Sequence, residues 1–367
     1  MHANKKMSGQ QLAQYAVSRS LFTPTSLVRA IDTLGYVQAD PIRAPARAQD
    51  LILRHRVKNY RIDDLEKKYP GLKVAEDMLH NYGFFPHHHL PLLYPRKLSP
   101  RGQLFMAEHK PLRRKVLDYL ANNIDARLRD VEQALGMGKR INGWGSSSSA
   151  TTMMLELLHR EGLAAVVRRE SGMRVFGLAH QPKLVAEEKL SPTQRADGLI
   201  WLLVNLYAPL PQRSLTQLIS MMSHYKPDAD YAQRIELMVL REVLRRELIE
   251  GLIYLWPAHE PLDKAPTDTV RLLAPFDPVV WDRRRFEHLW GWAYRFEAYT
   301  PLAKRKLGYY AMPMLWRENI IGWANVSTAH NKLYVETGYA IKKPREAAFR
   351  AALDDEIERF RLFLRIQ

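Results

Sequence analysis

The sequence contains no cysteine. Disulfide bonds, thiolate zinc sites, iron–sulfur clusters and a cysteine nucleophile are therefore excluded. A chain without cysteine fits a reducing compartment such as the cytoplasm, where disulfides are rare.

Long apolar runs are also missing. The longest, over residues 199–206, is far too short to span a bilayer and contains Asn205. No apolar stretch follows the charged residues near the start of the chain, so the pattern of a signal peptide is not present. These features predict a soluble cytoplasmic protein without a membrane partner.

Acidic side chains are scarce relative to basic ones. The 367 residues include 39 Asp and Glu against 55 Lys and Arg, which gives a formal charge of +16 and a pI near 9.8. An excess of this size indicates a polyanionic partner such as nucleic acid, and would place the protein on the nucleoid. A solubilising or ribosome-associated surface is the alternative. The length predicts several domains.

The sequence has few groups of residues that could bind a metal, and the most obvious one is a run of three histidines. His87, His88 and His89 are consecutive, but only the first and third would share a side of an extended segment. No carboxylate lies within a few residues of them. A polar loop near phosphates or a plain surface loop fits better, so we predict neither a metal nor a cofactor.

The hydrophobic pattern predicts a mainly α fold with α+β parts. Three predicted helices, over residues 9–22, up to Gly35 and over residues 46–56, resemble a helix-turn-helix or winged-helix unit, although any three-helix packing element is the alternative. Helix, helix and hairpin follow one another over residues 112–180 in the order of a winged helix. We expect a helix over residues 61–79, broken by Pro70-Gly71, and a long charged helix over residues 231–247. The predicted segments are a first winged-helix-like module with a Gln-x-Asp motif (9–111), a second winged-helix module (112–182), a third winged-helix-like module (190–262) and a C-terminal strand-rich α+β domain (267–367).

The segment Gln38-Ala39-Asp40-Pro41 follows a helical pattern that ends at Gly35. Pro41 disfavours helix at Asp40, and in an extended chain residues i and i+2 face the same side. Gln38 and Asp40 would then project together, and an amide with a carboxylate can hold a water molecule between them. The structural alternative makes Gln38 a turn residue and Asp40 the N-cap of the next helix.

Basic side chains recur where a DNA-binding module would meet phosphates. His80 precedes an aromatic run that favours core packing over insertion between bases. The residues predicted to bind DNA are Arg43, Arg47, Arg54, Arg56, His80, Arg168, Arg169, Arg174, Arg283, Lys304 and Arg305.

Several motifs together resemble the crosslink-repair DNA glycosylases of the YcaQ/AlkZ type, over roughly residues 9–325. The catalytic signature of that family is similar to Gln38-Ala39-Asp40-Pro41 in its aspartate version. The other matching segments are residues 47–57, His80 with Phe84-Phe85-Pro86, residues 275–283 and residues 299–310. The sequence departs from the family pattern at residues 144–147, where a Trp-rich run is common, and at residues 324–327, where an acidic residue and a lysine are usual.

The resemblance implies tandem winged helices and a monofunctional DNA glycosylase in which Gln38 and Asp40 are catalytic. It also implies that N7-alkylated guanine is released, including bulky adducts and interstrand crosslinks. We expect a monomer whose partner is double-stranded DNA with alkylated bases. The alternatives are a non-catalytic winged-helix regulator or lesion sensor, and an RNA-binding protein, against which the lack of an RNP-like motif counts.

Overall fold

Two units are formed by the chain, each assembled from separate stretches of sequence. The computed structural model describes residues 7–135, 139–141, 147–179, 189–223, 226–261 and 267–366. The first unit comprises Met1–Asp64, Ile200–Leu218 and Ile235–Gln367, and the second comprises Leu65–Leu199 and Ile219–Arg234. Since each unit draws on more than one of the predicted segments, the division into four modules stays a prediction.

Helices and strands alternate throughout, so the fold is mixed α/β. No helix in the described ranges combines the length and apolar character that a bilayer span requires. The helices are α1 (Gly9–Ser20), α2 (Leu27–Leu34), α3 (Ala48–Leu53), α4 (Asp64–Lys68), α5 (Leu90–Leu93), α6 (Pro100–Glu108), α7 (Lys110–Asn122), α8 (Leu128–Leu135), α9 (Ala150–Glu161), α10 (Pro192–Tyr207), α11 (Gln212–Met221), α12 (Tyr231–Leu240), α13 (Arg283–Trp290) and α14 (Ala347–Leu364).

The strands form small sheets of two to four strands rather than one large sheet. They are β1 (Val37–Gln38), β2 (Val74–Met78), β3 (Tyr82–Pro86), β4 (Ala126–Arg127), β5 (Lys139–Ile141), β6 (Ser147–Ser149), β7 (Ala164–Glu170), β8 (Met173–Leu178), β9 (Leu210–Pro211), β10 (Leu244–Ile249), β11 (Leu252–Pro257), β12 (Val270–Leu272), β13 (Met312–Trp316), β14 (Asn319–Ala329) and β15 (Lys332–Tyr339).

Local signals fix the helices that precede the Gln38-Ala39-Asp40 motif. The Ser8 hydroxyl accepts the Gln11 N–H at 3.2 Å, and the Gln11 side chain accepts the Ser8 N–H at 2.9 Å. This reciprocal capping box starts α1. Helix α2 starts at the Ser26 cap and ends at Gly35, whose φ of 72° suits glycine. The helices predicted here from the sequence are therefore confirmed.

Two predicted helices end early and continue as strands. Residues 74–78 form β2, which pairs with β3, and residues 244–249 form β10, which pairs with β11. The second pair is closed by Glu250 and Gly251 at φ 47° and 87°, the left-handed values of a primed hairpin turn. The prediction of helix was wrong because pairing with a neighbouring segment overrides local helix propensity.

One order of elements occurs twice within the described ranges. Helix, short strand, helix, helix and hairpin follow one another from α7 to β8, with β5 and β6 inserted, and again from α10 to β11. The short strand joins the hairpin in each case, in sheet orders β4-β8-β7 and β10-β11-β9. Trp144 and Gly145, where the sequence departs from the family pattern, lie outside the described residues.

A curled antiparallel sheet of order β12-β13-β14-β15 lies near the C-terminus of the first unit, as predicted for a strand-rich domain. The closing helix α14 packs on β12, where the buried Glu356 carboxylate accepts the Leu272 N–H at 2.9 Å. A core cluster that includes Leu273, Phe286 and Leu315 also contains Leu21, the residue after α1. The N-terminal helices and the C-terminal sheet thus share one hydrophobic core in this unit.

Candidate active site

The Gln38-Ala39-Asp40 motif lies at the end of β1, in the first unit. Gln38 is buried and Asp40 is half-buried. The Ile42 N–H donates to Asp40 Oδ1 at 2.9 Å, which closes a turn of two residues and fixes the carboxylate. Helix α3 begins only at Ala48, with Arg47 at its cap position, so Asp40 is not the N-cap that the structural alternative required.

Partial burial changes the acid–base properties of Asp40. Desolvation raises the pKa of its carboxyl group above the ordinary value of an aspartate, and the hydrogen bond from Ile42 opposes this increase. A carboxylate with a raised pKa is a stronger base once it is ionised. No described residue donates a hydrogen bond to its second oxygen, Oδ2.

Aromatic side chains lie beside the motif. Gln38 and Phe276 line the same small enclosure. The Phe276 ring is 5.2 Å from Phe296, which is in turn 5.3 Å from Tyr310 and 6.1 Å from Tyr299, measured between ring centroids. These four rings lead from the enclosure that Gln38 lines to Tyr299 at the protein surface.

Two tyrosines of this aromatic group interact electrostatically with the Asp40 carboxylate. Burial raises the pKa of Tyr310 and of Tyr299, and the negative charge of Asp40 raises both further. Tyr310 is buried, and its hydroxyl has no hydrogen-bond partner among the described residues. Tyr299 is 79% exposed. Sequence reasoning had identified residues 299–310 only through their cations and the family resemblance, and it missed these two phenol groups.

Two of the predicted DNA-binding arginines are part of the framework beneath the motif. Arg54 pairs with the buried Glu356 and donates to the Leu272 carbonyl, and its side chain is only 3% exposed. Arg56 is completely buried and donates to both oxygens of Asp277, at 2.7 and 2.9 Å. Neither guanidinium is presented to a phosphate. We therefore assign both residues to the folded framework, which corrects the expectation from sequence.

Arg283 has a similar structural position. Its guanidinium donates to the Val280 carbonyl at 2.6 Å and to the Pro275 carbonyl at 3.0 Å. It also lies 4.5 Å from the centroid of the Tyr294 ring, and burial lowers its pKa. These contacts hold the turn that carries Phe276.

The predicted contacts of the second unit are ion-paired or buried. Arg168 pairs with Asp125 at 2.9 Å, Arg169 with Glu76 at 2.6 Å, and Arg174 with Glu156. His80 is buried, which lowers its pKa to about 3 and leaves the ring neutral at pH 7. It cannot act as a cation there. His87, His88 and His89 form a short 3₁₀ turn rather than an extended loop.

The remaining predicted cations are more accessible and belong to the same unit as Asp40. Arg43 pairs with Asp63 at 3.0 Å, but almost half of its side chain is exposed. Arg47 is partly buried at the start of α3. Lys304 is exposed, and Arg305 lies 5.0 Å from the centroid of the Tyr309 ring.

The family model of the AlkZ-like DNA glycosylases matches residues 31–363, which is most of the chain. The chain belongs to the AlkZ-like DNA glycosylase family. The resemblance drawn from the motifs is thereby confirmed, and the protein is a DNA glycosylase with DNA as its substrate.

A solved structure supports the fold of this glycosylase. The chain is similar to the Streptomyces sahachiroi DNA glycosylase AlkZ, with a TM-score of 0.65. The two sequences are 15% identical, and the likeness covers 97% of each chain. At this identity the comparison shows a shared fold. The roles of individual residues have to come from the geometry around Asp40.

Proposed function

We propose that this glycosylase hydrolyses the N-glycosidic bond of N7-alkylated guanine, and that it accepts bulky adducts and interstrand crosslinks. The observation that carries the proposal is Asp40, a half-buried carboxylate whose Oδ1 is fixed by the Ile42 N–H beside Gln38. Alkylation at N7 makes the guanine cationic, so the base leaves without a general acid. The enzyme then has to supply only a water molecule and negative charge near the sugar.

Asp40 is suited to both tasks. As a base it removes a proton from the attacking water, and as an anion it stabilises the oxocarbenium-like sugar. Gln38 orients the water through its amide, which both donates and accepts hydrogen bonds. No lysine nucleophile is needed, so the product is an abasic site without strand cleavage. Each positioned group contributes about 10²–10⁴-fold to such a reaction.

DNA binding is assigned to the two repeated segments and to cations near the motif. We interpret the order helix, short strand, helix, helix and hairpin as winged helices, whose hairpins meet the phosphate backbone. Arg168, Arg169 and Arg174 on the first hairpin bind phosphates only if they exchange their carboxylate partners. Arg43, Arg47, Lys304 and Arg305 are the better candidates for phosphate contact.

The proposal is tested with Asp40→Asn. This change keeps the shape of the side chain and removes its charge, so we expect excision to fall by about 10²–10⁴-fold while DNA affinity stays within a few-fold. Purified protein is incubated with duplexes that carry N7-methylguanine or a nitrogen-mustard crosslink, and alkali then reveals abasic sites. Asp355→Asn is the matched control, because Asp355 is an exposed carboxylate of the same unit. Wild-type excision by Asp40→Asn would contradict the assignment.

A further inference from the structure

The loop that follows Phe296 exposes two large side chains, although the edge of one of them, Tyr299, also contacts Phe296. Tyr299 and Leu302 are each 79% exposed and stand three residues apart, at the start of the 3₁₀ turn Leu302–Lys304. Single exposed apolar residues are ordinary on protein surfaces. Here, however, two large exposed side chains occur on one short loop beside the proposed catalytic carboxylate. Packing within the folded chain does not account for both of them. We call these two residues the Tyr299–Leu302 tip.

The loop is held rigidly from within. The Glu297 carboxylate is buried, and its Oε2 accepts the N–H groups of Lys306, Leu307 and Gly308, at 2.8, 2.8 and 3.3 Å. Asn325 donates from its amide to the Leu307 carbonyl at 2.8 Å. Asn325 is part of the segment that departs from the family pattern, and this contact gives it a supporting role.

The base of the loop is closed by a further bond. Arg305 Nε donates to the Thr300 carbonyl at 2.8 Å, which joins the two sides of the turn. The loop therefore presents Tyr299 and Leu302 in a fixed position instead of letting them collapse onto the surface. Exposed apolar side chains that are held in a fixed position are typical of surfaces that bind a partner.

Charge identifies the kind of partner. The sequence from Ala298 to Arg317 contains no acidic residue. Arg295, Lys304 and Lys306 are exposed, and their side chains form no ion pair with any described residue. Positive charge around a protruding apolar tip is complementary to a nucleic acid, whose backbone attracts the cations and whose base stack accepts the apolar groups.

We propose that the Tyr299–Leu302 tip inserts into the base stack of damaged duplex DNA next to the lesion. Tyr299 stacks on a base, and Leu302 occupies the space opened beside it. Phe296 connects the tip to the ring group at Gln38, so insertion places the sugar of the lesion within reach of Asp40. This inference rests on the proposed role of Asp40 for its location, but insertion itself needs no excision.

The experiment uses full-length Asp40→Asn protein, so that the DNA stays intact. The duplex contains a tetrahydrofuran abasic-site analogue with 2-aminopurine beside it, because unstacking of that base raises its fluorescence. Protein without further change should raise the fluorescence on binding. Tyr299→Ala and Leu302→Ala should abolish most of the rise, and Tyr299→Ala should weaken binding roughly 5- to 100-fold, as loss of a stacked base does.

Matched controls keep the test specific. Ile341 and Tyr334 are exposed residues of the same unit outside the repeated segments, at 54% and 52%, so Ile341→Ala and Tyr334→Ala should leave the rise unchanged. Tyr299→Phe retains the ring and should retain the rise. Lys304→Ala should weaken binding but give the full rise at saturation, because it removes charge alone.

The outcomes separate the two proposals. An equal fluorescence rise in the tip variants and in the controls overturns insertion, whatever the excision result is. A fluorescence rise that depends on the tip supports insertion even if wild-type protein fails to release N7-methylguanine, a failure that would overturn only the proposed substrate.

Discussion

The buried ion pair Arg56–Asp277 allows a test of whether Arg56 binds DNA, as the sequence predicted, or stabilises the fold. Both side chains are 0% exposed, and Arg56 donates to the two oxygens of Asp277 and to Ser20 and Ile52. Removing one partner of such a pair leaves an uncompensated buried charge, which costs about 3–5 kcal/mol. Arg56→Ala should therefore lower the free energy of unfolding of this unit by that amount.

The measurement is urea denaturation monitored by tryptophan fluorescence, together with DNA affinity at a temperature where the variant is folded. Arg43→Ala is the matched control, because Arg43 is exposed and should change stability by less than about 1 kcal/mol. An Arg56→Met/Asp277→Leu double variant removes both charges and should recover much of the loss. Wild-type stability with a large loss of DNA affinity in Arg56→Ala would refute the framework role.

Three further predictions follow from the site. Excision should decline as the pH is lowered through the raised pKa of Asp40, because only the ionised carboxylate acts as a base. The decline should begin at a higher pH than for an exposed aspartate, and single-turnover rates between about pH 4 and pH 8 measure it. Gly308→Ala should lower the excision rate, and it should lower the free energy of unfolding by about 1–3 kcal/mol. The φ of 120° disfavours alanine, and the added Cβ would collide with the Asn325 amide. Thermal unfolding and excision rates measure the two effects. DNA affinity should fall steeply with salt as phosphate contacts release counterions, and a flat log–log plot of affinity against salt would contradict a cationic interface.

Local signals made part of the fold predictable. Caps and glycine ends lie within a few residues of the helices they delimit, so α1 and α2 could be read directly from Ser8, Ser26 and Gly35. Strand β2 could not be identified, because most of its residues are buried and no alternation marks it. Its state depends on pairing with β3, which local propensity does not encode.

The motif and the cations were predictable to different degrees. Gln38 and Asp40 are proposed as the site because the amide, the carboxylate and Pro41 are close in sequence and match the family pattern. Arg56 could not be distinguished from a phosphate-binding arginine, since its partner Asp277 is 221 positions away. Tyr310 was missed for the same reason, because only the fold brings its hydroxyl near Asp40.

The excess of positive charge can be located once the ion pairs are known. A one-to-one pair of an arginine and a carboxylate is neutral, so the +16 of the chain is the excess of cations without a carboxylate of their own over acids without a cation. Arg54, Arg56 and Arg169 are among the paired ones. Long-range attraction of DNA acts on uncompensated charge, which includes exposed lysines such as Lys304 on the loop beside Asp40. Part of the charge that attracts the polyanion therefore lies in the same unit as Asp40, the carboxylate proposed to activate the attacking water.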